Sequence, residues 1–200
     1  MTTRDAILDG ALHVMRTRGL ARTTTKEIAR ASGFSEATLY KLFADKVDIF
    51  LSVLAERLPR VSVVSETLSH LVGKNSLVEN LQTMVVEIER FYEASLPIAM
   101  SLFSDVDLLA KHRTAVLAHG GRPDVIVVRV EEYLRAEQDI GRVRIDAPAA
   151  GAAIALVGAC MHQAFLACFH GLTQDTEPTV DRVNVFAAEV VRSILPSLSD

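Results

Sequence analysis

The chain has 200 residues, half of them hydrophobic and 23% charged, with a formal net charge of −4. That is too apolar for a disordered chain and long enough for one or two domains with a true core. Six prolines and ten glycines exclude a collagen-like or linker chain, and an aromatic content of 6% without tryptophan argues against a stacking platform for single-stranded nucleic acid.

Helical periodicity with capping signals runs through almost the whole chain, and no alternating strand pattern of useful length appears. Ile7, Leu8, Ala11, Leu12 and Met15 form one apolar stripe, capped by Thr2 or Thr3, with Gly19 as a left-handed stop. Thr24 to Glu27 reads as a capping box that starts a short helix to about Ala31. Ser32-Gly33-Phe34 is a tight turn, Ser35 caps a helix from Glu36 to Leu42, and Asp45 caps another from Lys46 to about Leu58. The pattern loosens after Pro59, with partial helix expected over 61–71. An amphipathic helix follows from about Leu77 to Ala94, and Pro97 is expected to open another to about Ala118. After a loop at 119–123, Asp124 to Gln138 and Ala149 to Gly171 read as helices, and Glu177-Pro178-Thr179 starts the last, which stops near Pro196. The expectation is an all-α fold of about nine helices.

From Ala147 to Gln174 there is no Asp, Glu, Lys or Arg. Length alone would allow a membrane span, but His162, Gln163 and His170 interrupt it, and the reading adopted is a helix buried in a protein interface, with no membrane partner. The N-terminus lacks a continuous apolar stretch, so no signal peptide is read and a cytoplasmic protein is expected. Cys160 and Cys168, if helical, lie about 12 Å apart along the axis, too far for a disulfide. Together with His162 and His170 they spread around more than half the helix, so no metal is expected. Glycine-rich phosphate loops, nucleophile elbows and HExxH signatures are absent, and neither a cofactor nor enzymatic activity is expected.

Charge is uneven. Residues 1–57 carry nine basic and seven acidic side chains, whereas the rest carry twelve and eighteen, so a mildly basic head sits on an acidic body. In that head, two short helices joined by a glycine turn form a helix-turn-helix. Ala29 is small where the helices cross, Gly33 can take positive φ, and Ile28, Leu39 and Leu42 are expected to point inward. Ser35, Glu36, Thr38, Tyr40 and Lys41 are left on outer or flanking faces, where a helix in the major groove reaches bases and phosphates.

The segment TTTKEIARASGFSEATLYKLFADKVDIF, Thr23 to Phe50, resembles the DNA-binding domain of the TetR family of bacterial transcriptional regulators. The resemblance lies in T-x-x-x-I-A-x-x-x-G, T-L-Y-x-x-F and the K-x-x-[IL]-F continuation, over about residues 4–55. It implies a helix-turn-helix domain of three helices over residues 1–50 and a helical effector-binding and dimerisation domain over 51–200. It also implies a homodimeric repressor released from an inverted-repeat operator in double-stranded DNA by a small apolar effector. Thr25 would offer hydroxyl and amide to a phosphate, Thr38 would touch the groove or a phosphate, and Tyr40 and Lys46 would grip the backbone. Ser35 and Glu36 stand where members vary with operator. Glu36 departs from the usual small or basic residue, and either accepts from a cytosine amino group or caps its helix. Lys41 and Leu42 replace a pair that is often His-Tyr.

For the body, Met84, Ile88, Phe91, Met100 and Phe103 could line an effector cavity with His162 and Phe165, or fill a core. The small residues Ala152, Ala155, Gly158 and Ala159, and the last-helix stripe Val183, Phe186, Ala187, Val190, Val191 and Ile194, suggest a four-helix dimer seam. Two alternatives stay open: a regulator of the same fold controlled by a protein partner without a small ligand, and a helical enzyme or carrier.

Overall fold

The computed structural model describes residues 1–58, 70–118, 122–171 and 180–199. Among these residues there are nine α-helices and no strand: α1 (Thr3–Arg18), α2 (Thr25–Ser32), α3 (Glu36–Leu42), α4 (Lys46–Glu56), α5 (Leu77–Ser101), α6 (Val106–Ala118), α7 (Val125–Asp139), α8 (Ala149–Phe169) and α9 (Val180–Ile194). The expected partial helix over 61–71 lies almost wholly outside the described residues. So do 119–121 of the expected loop and the Glu177-Pro178-Thr179 start of the last helix.

The chain divides into two compact units, Met1–Pro59 with Ser95–Gly121, and Arg60–Ala94 with Arg122–Asp200. The boundary expected at residue 50 falls inside α4, which stays with the first unit to its end. One helix, α5, belongs to both units, its last turns lying in the first.

In the first unit the helix starts are locally encoded. Thr2 caps α1 through a box with Asp5, Thr24 caps α2 through a box with Glu27, and the Ser35 and Asp45 side chains accept from the amides of Thr38 and Asp48. Gly33 ends α2 in the left-handed conformation (φ 77°, ψ 18°), as the tight turn requires. Gly19 also has positive φ (75°), but its ψ of 161° carries the chain out extended rather than in the expected left-handed stop. The core gathers Ile7, Leu8, Ile28, Leu39, Phe50 and Val53, joined by Ile98, Leu102 and Leu108 from the distal segment.

One detail corrects the sequence reading: Leu42 is 44% exposed, because α3 ends there and the extended Phe43 turns its ring inward instead. A close approach of α1 to the end of α2 lies at Gly10, where an added Cβ would stand 2.8 Å from the Ser32 amide nitrogen and 2.9 Å from its Cβ.

The second unit packs Leu81, Met84, Val85 and Ile88 of α5 against Val130 and Leu134 of α7, Ala153, Leu156 and Cys160 of α8, and Ala187 and Val191 of α9. Pro97 does not open a helix as expected. It lies inside α5, which continues to Ser101 with one backbone hydrogen bond fewer. Of the α9 stripe, Val183, Ala187, Val191 and Ile194 are buried in this unit's own core, while Phe186 and Val190 are partly buried against it.

Helix α8 is the single helix among the described residues that is long and apolar enough to cross a membrane. Its buried side, including Ala149, Ala153, Leu156 and Ala164, is that of a core helix.

Candidate nucleic-acid interface

The recognition face is built by α2, the Gly33 turn and α3. Within it the structure brings Thr25, Glu36 and Tyr40 together across the two helices. The Thr25 hydroxyl donates to Glu36 Oε2 at 2.8 Å, and the Tyr40 hydroxyl donates to Thr25 Oγ1 at 3.4 Å. Of the two roles weighed for Glu36, capping is not the one found: Ser35 is the cap, and the Glu36 carboxylate holds the neighbouring helix. The Ser35 and Thr38 hydroxyls lie 3.0 Å apart, and Ser35 Oγ also accepts from the Thr38 amide. Tyr40 and Lys41 are exposed, and Thr25, Glu36 and Thr38 are half-buried, so all five remain at the surface of the unit. Lys46, at the first turn of α4, is half-buried and directs Nζ to the Leu20 carbonyl at 3.4 Å.

The first unit also holds a clamp that motif reading missed. Arg57, just beyond α4, reaches back to α1, with Nη2 2.7 Å from Asp5 Oδ1 and Nε 2.7 Å from Asp9 Oδ1. Arg4 pairs with Glu56 and lays its guanidinium over the Phe43 ring, 5.2 Å from the centroid. The partners are about fifty positions apart, so no local spacing could have revealed them. Hydrogen bonds from Thr2 and then Arg57 hold the Asp5 carboxyl well below the usual carboxylate range. The Thr24 amide and hydroxyl lower that of Glu27. An open groove on the same unit is lined by His13, Thr17 and Arg18 of α1 and Lys26, Glu27 and Arg30 of α2. Its cations add to the basic side of the domain, although Arg18 is paired with Glu27.

A buried core under a capped helix pair, with hydroxyls and cations on its outer face, is a DNA-binding arrangement. The family described as bacterial regulatory proteins, tetR family, matches residues 7–53. Residues 7–53 are therefore a TetR-family DNA-binding domain. Over 150 residues, 74% of this chain and 72% of the other, the chain is 29% identical to the HTH-type transcriptional repressor AcnR of Corynebacterium efficiens. A TetR-family transcriptional regulator of Mesorhizobium loti shares the fold with a TM-score of 0.78 at 18% identity, over 99% of this chain and 97% of the other. SmeT, the repressor of the Stenotrophomonas maltophilia multidrug efflux pump SmeDEF, shares it at a TM-score of 0.65 and 18% identity, over 100% of this chain and 92% of that one. The chain is therefore a DNA-binding transcriptional regulator rather than an enzyme.

The residues expected around an effector fall in several places. Met84 and Ile88 are fully buried in the second unit's core, and Phe91 packs partly against it. His162 and Phe165 are exposed on α8. Met100 and Phe103 belong to the first unit and are also exposed. The expected seven-residue lining is thus not gathered in one core.

Proposed function

We propose that the chain is a homodimeric repressor that binds an inverted-repeat operator and leaves it when a small apolar effector enters the body. DNA binding belongs to residues 1–50, and effector binding and dimerisation to 51–200. The observation that carries the reading is the Thr25–Glu36–Tyr40 cluster, which fixes α3 against α2 while keeping Ser35, Tyr40 and Lys41 exposed on the outer face. Thr25, Tyr40 and Lys46 grip phosphates, and Ser35, Glu36, Thr38 and Lys41 face the groove or its edge. A gel shift with the chain's own promoter DNA tests this. Lys46→Ala should weaken all sequences alike and, in a dimer, flatten the log K against log salt slope by about two. An unchanged slope with altered sequence preference refutes the phosphate role.

Dimerisation is assigned to the outer face of α8. Gly151, Ile154, Ala155, Gly158, Met161, His162, Phe165 and Phe169 recur at helical spacing and are exposed, an apolar stripe that a soluble chain covers. Ala155→Arg should turn a dimer into monomer or aggregate in sedimentation, and a wild-type monomer at micromolar concentration would refute the dimer. SmeT has been solved in complex with triclosan, which supports an effector reading here. The interior of the second unit, around Met84, Ile88 and Phe91, is the proposed place. By linkage, operator and effector then weaken each other by the same factor, about 5- to 150-fold for typical couplings.

A further inference from the structure

Among its described residues the second unit buries three polar side chains completely, Asn80, Glu89 and Glu137. Asn80 Nδ2 donates to the carbonyls of Leu71 and Lys74 and to the Tyr133 hydroxyl. Glu137 Oε1 accepts from the Gly73 amide, and its Oε2, without a hydrogen bond, is ion-paired with Arg142 Nε at 3.2 Å. Glu89 is the least answered: among the described residues neither of its carboxylate oxygens has a hydrogen-bond partner. A buried polar group left this way loses its hydration without replacement and calls for an explanation.

Its charged surroundings are one-sided. Glu93, one turn further along α5, and Arg182 of α9 both act on it. Arg182 is already engaged, with Nη2 2.7 Å from Glu93 Oε1. From α8, the Cys160 thiol lies within the Glu89 field but turns to the Val85 carbonyl, 3.8 Å away. Tyr92 adds a phenol near Cys160 and no positive charge. Two carboxylates thus face one guanidinium, and the missing partner is a hydrogen-bond donor that is also a cation. A bare metal ion lacks a ligand set, since no group of three His, Cys, Asp or Glu side chains able to hold one occurs among the described residues. The walls nearest in sequence are apolar and buried: Met84, Val85 and Ile88.

We propose that Glu89 anchors the ammonium group of a small amphipathic amine, whose apolar part lies along Met84, Val85 and Ile88 as it parts α5 from α8. The proposal rests on the effector reading above and names its ligand class. Glu89 is closed off, so binding and opening are one event. The same helix continues past Pro97, and its Ile98 belongs to the core of the first unit.

The test titrates the full chain calorimetrically with octylamine, octan-1-ol and octanoate, which share a chain and differ in head group. The wild type should bind octylamine about 10- to 100-fold tighter than octan-1-ol, as expected for hydrogen bonds to a charged group. Glu89→Gln should bring octylamine to the level of the alcohol and leave the alcohol unchanged. Gln keeps the volume and removes the buried charge, so this variant keeps the fold, which circular dichroism checks. Burial and Glu93 push the Glu89 carboxyl up to about 7 against the opposing pull of Arg182. Octylamine binding should therefore tighten about tenfold from pH 6 to pH 8, while octan-1-ol stays flat. An amine no tighter than the alcohol, an amine preference that survives in Glu89→Gln, or no amine binding at all overturns the proposal. A gel shift separates the two readings. If octan-1-ol or octanoate binds and releases operator while the amine does not, the effector reading stands and the Glu89 assignment falls. If octylamine binds as expected and operator stays bound, Glu89 stands and the effector reading falls.

Discussion

The two units handle polar groups in opposite ways. The first keeps its charges at the surface and answers them close by: helix caps within three residues, and the Arg4 and Arg57 clamps over the rim of a core that is apolar apart from Thr23 and Ser95. The Thr23 hydroxyl is itself satisfied by the Gly19 carbonyl at 2.8 Å. The second unit puts an amide and two carboxyls in its interior. Such a core is less stable than an apolar one of equal volume, since desolvated charge is only partly repaid by pairing. The contrast sets a unit with an almost wholly apolar core against one that carries polar groups inside, and each of the following variants strains one side of it.

The largest effect is expected at the answered carboxyl. Arg142 Nε lies 3.2 Å from Glu137 Oε2, and its other nitrogens donate to the carbonyls of Lys74 and Asn75. Arg142→Ala leaves a fully buried carboxylate with only the Gly73 amide and the Tyr133 hydroxyl, and frees the loop before α5. A loss of about 3–4 kcal/mol in urea unfolding is expected, within the range for breaking a buried pair. A loss under 1 kcal/mol would mean that the Glu137–Arg142 pair contributes little, and would weaken the contrast.

The unanswered carboxyl should behave in the opposite sense. The Glu89 carboxyl is raised from an ordinary 4.5 to about 7, so the folded chain holds the proton more tightly than the unfolded one. That contribution to stability is complete below pH 4.5 and is lost as pH rises through 7. Glu89→Gln removes the loss. The variant should match the wild type near pH 4 and exceed it by about 3 kcal/mol at pH 8. Parallel stability curves across that range would show that Glu89 has a partner in solution and that the second unit is less frustrated than it looks.

How far the sequence could be read follows the same division. Signals confined to a few residues were legible: the Thr24–Glu27 box, the Gly33 turn, the Ser35 and Asp45 caps, and the T-L-Y helix of the recognition face. What depends on the far side of a contact was not. Gly10 looked like an ordinary helical glycine until Ser32 was seen against it. Leu42 and Phe43 are both apolar, and only the end of α3 decides which one turns inward. Pro97 carried a start signal that the packing of Ile98 and Leu102 overrode. The stripe on α9 revealed an apolar face without revealing that its own unit would cover it. Glu89 sits between Ile88 and Arg90, and nothing in its neighbours announces a buried carboxyl without a partner.

The next effect in size probes the rigid unit. At Gly10 an added Cβ would stand 3.0 Å or less from Ser32 N, Cα and Cβ, and two of those atoms are backbone, so the neighbour cannot swing aside. Gly10→Ala forces α1 away from the end of α2 and the turn into α3. Overpacking of this kind costs about 1–3 kcal/mol, offset by about 1 kcal/mol of helix propensity gained. A net loss of about 1–2 kcal/mol is expected, with operator affinity falling further than stability because the α2–α3 pose is what the DNA reads. Gly10→Ala with full stability and full operator affinity would mean that α1 yields freely, and that the first unit is not rigid.

The smallest effect concerns the cap that starts the DNA-facing pair. Thr24 Oγ1 accepts from the Glu27 amide at 3.2 Å, and Glu27 Oε2 accepts from the Thr24 amide at 3.0 Å. Thr24→Ala removes the first bond and leaves the second, so the loss should be about 1 kcal/mol, the usual worth of an N-cap. Its pH signature is the mirror image of that of Glu89. The Glu27 carboxyl is held below its ordinary value by the Thr24 amide first and the hydroxyl second. Its contribution is therefore present above pH 4.5 and fades as pH falls below that. Removing the hydroxyl should shrink that acid-side dependence without abolishing it. Because the cap is local, amide exchange should speed up in the first turn of α2 and leave the second unit unchanged. Faster exchange throughout α7–α9 in Thr24→Ala would show that the two units share one cooperative unfolding event, and that their opposite treatment of polar groups does not translate into separate mechanical roles.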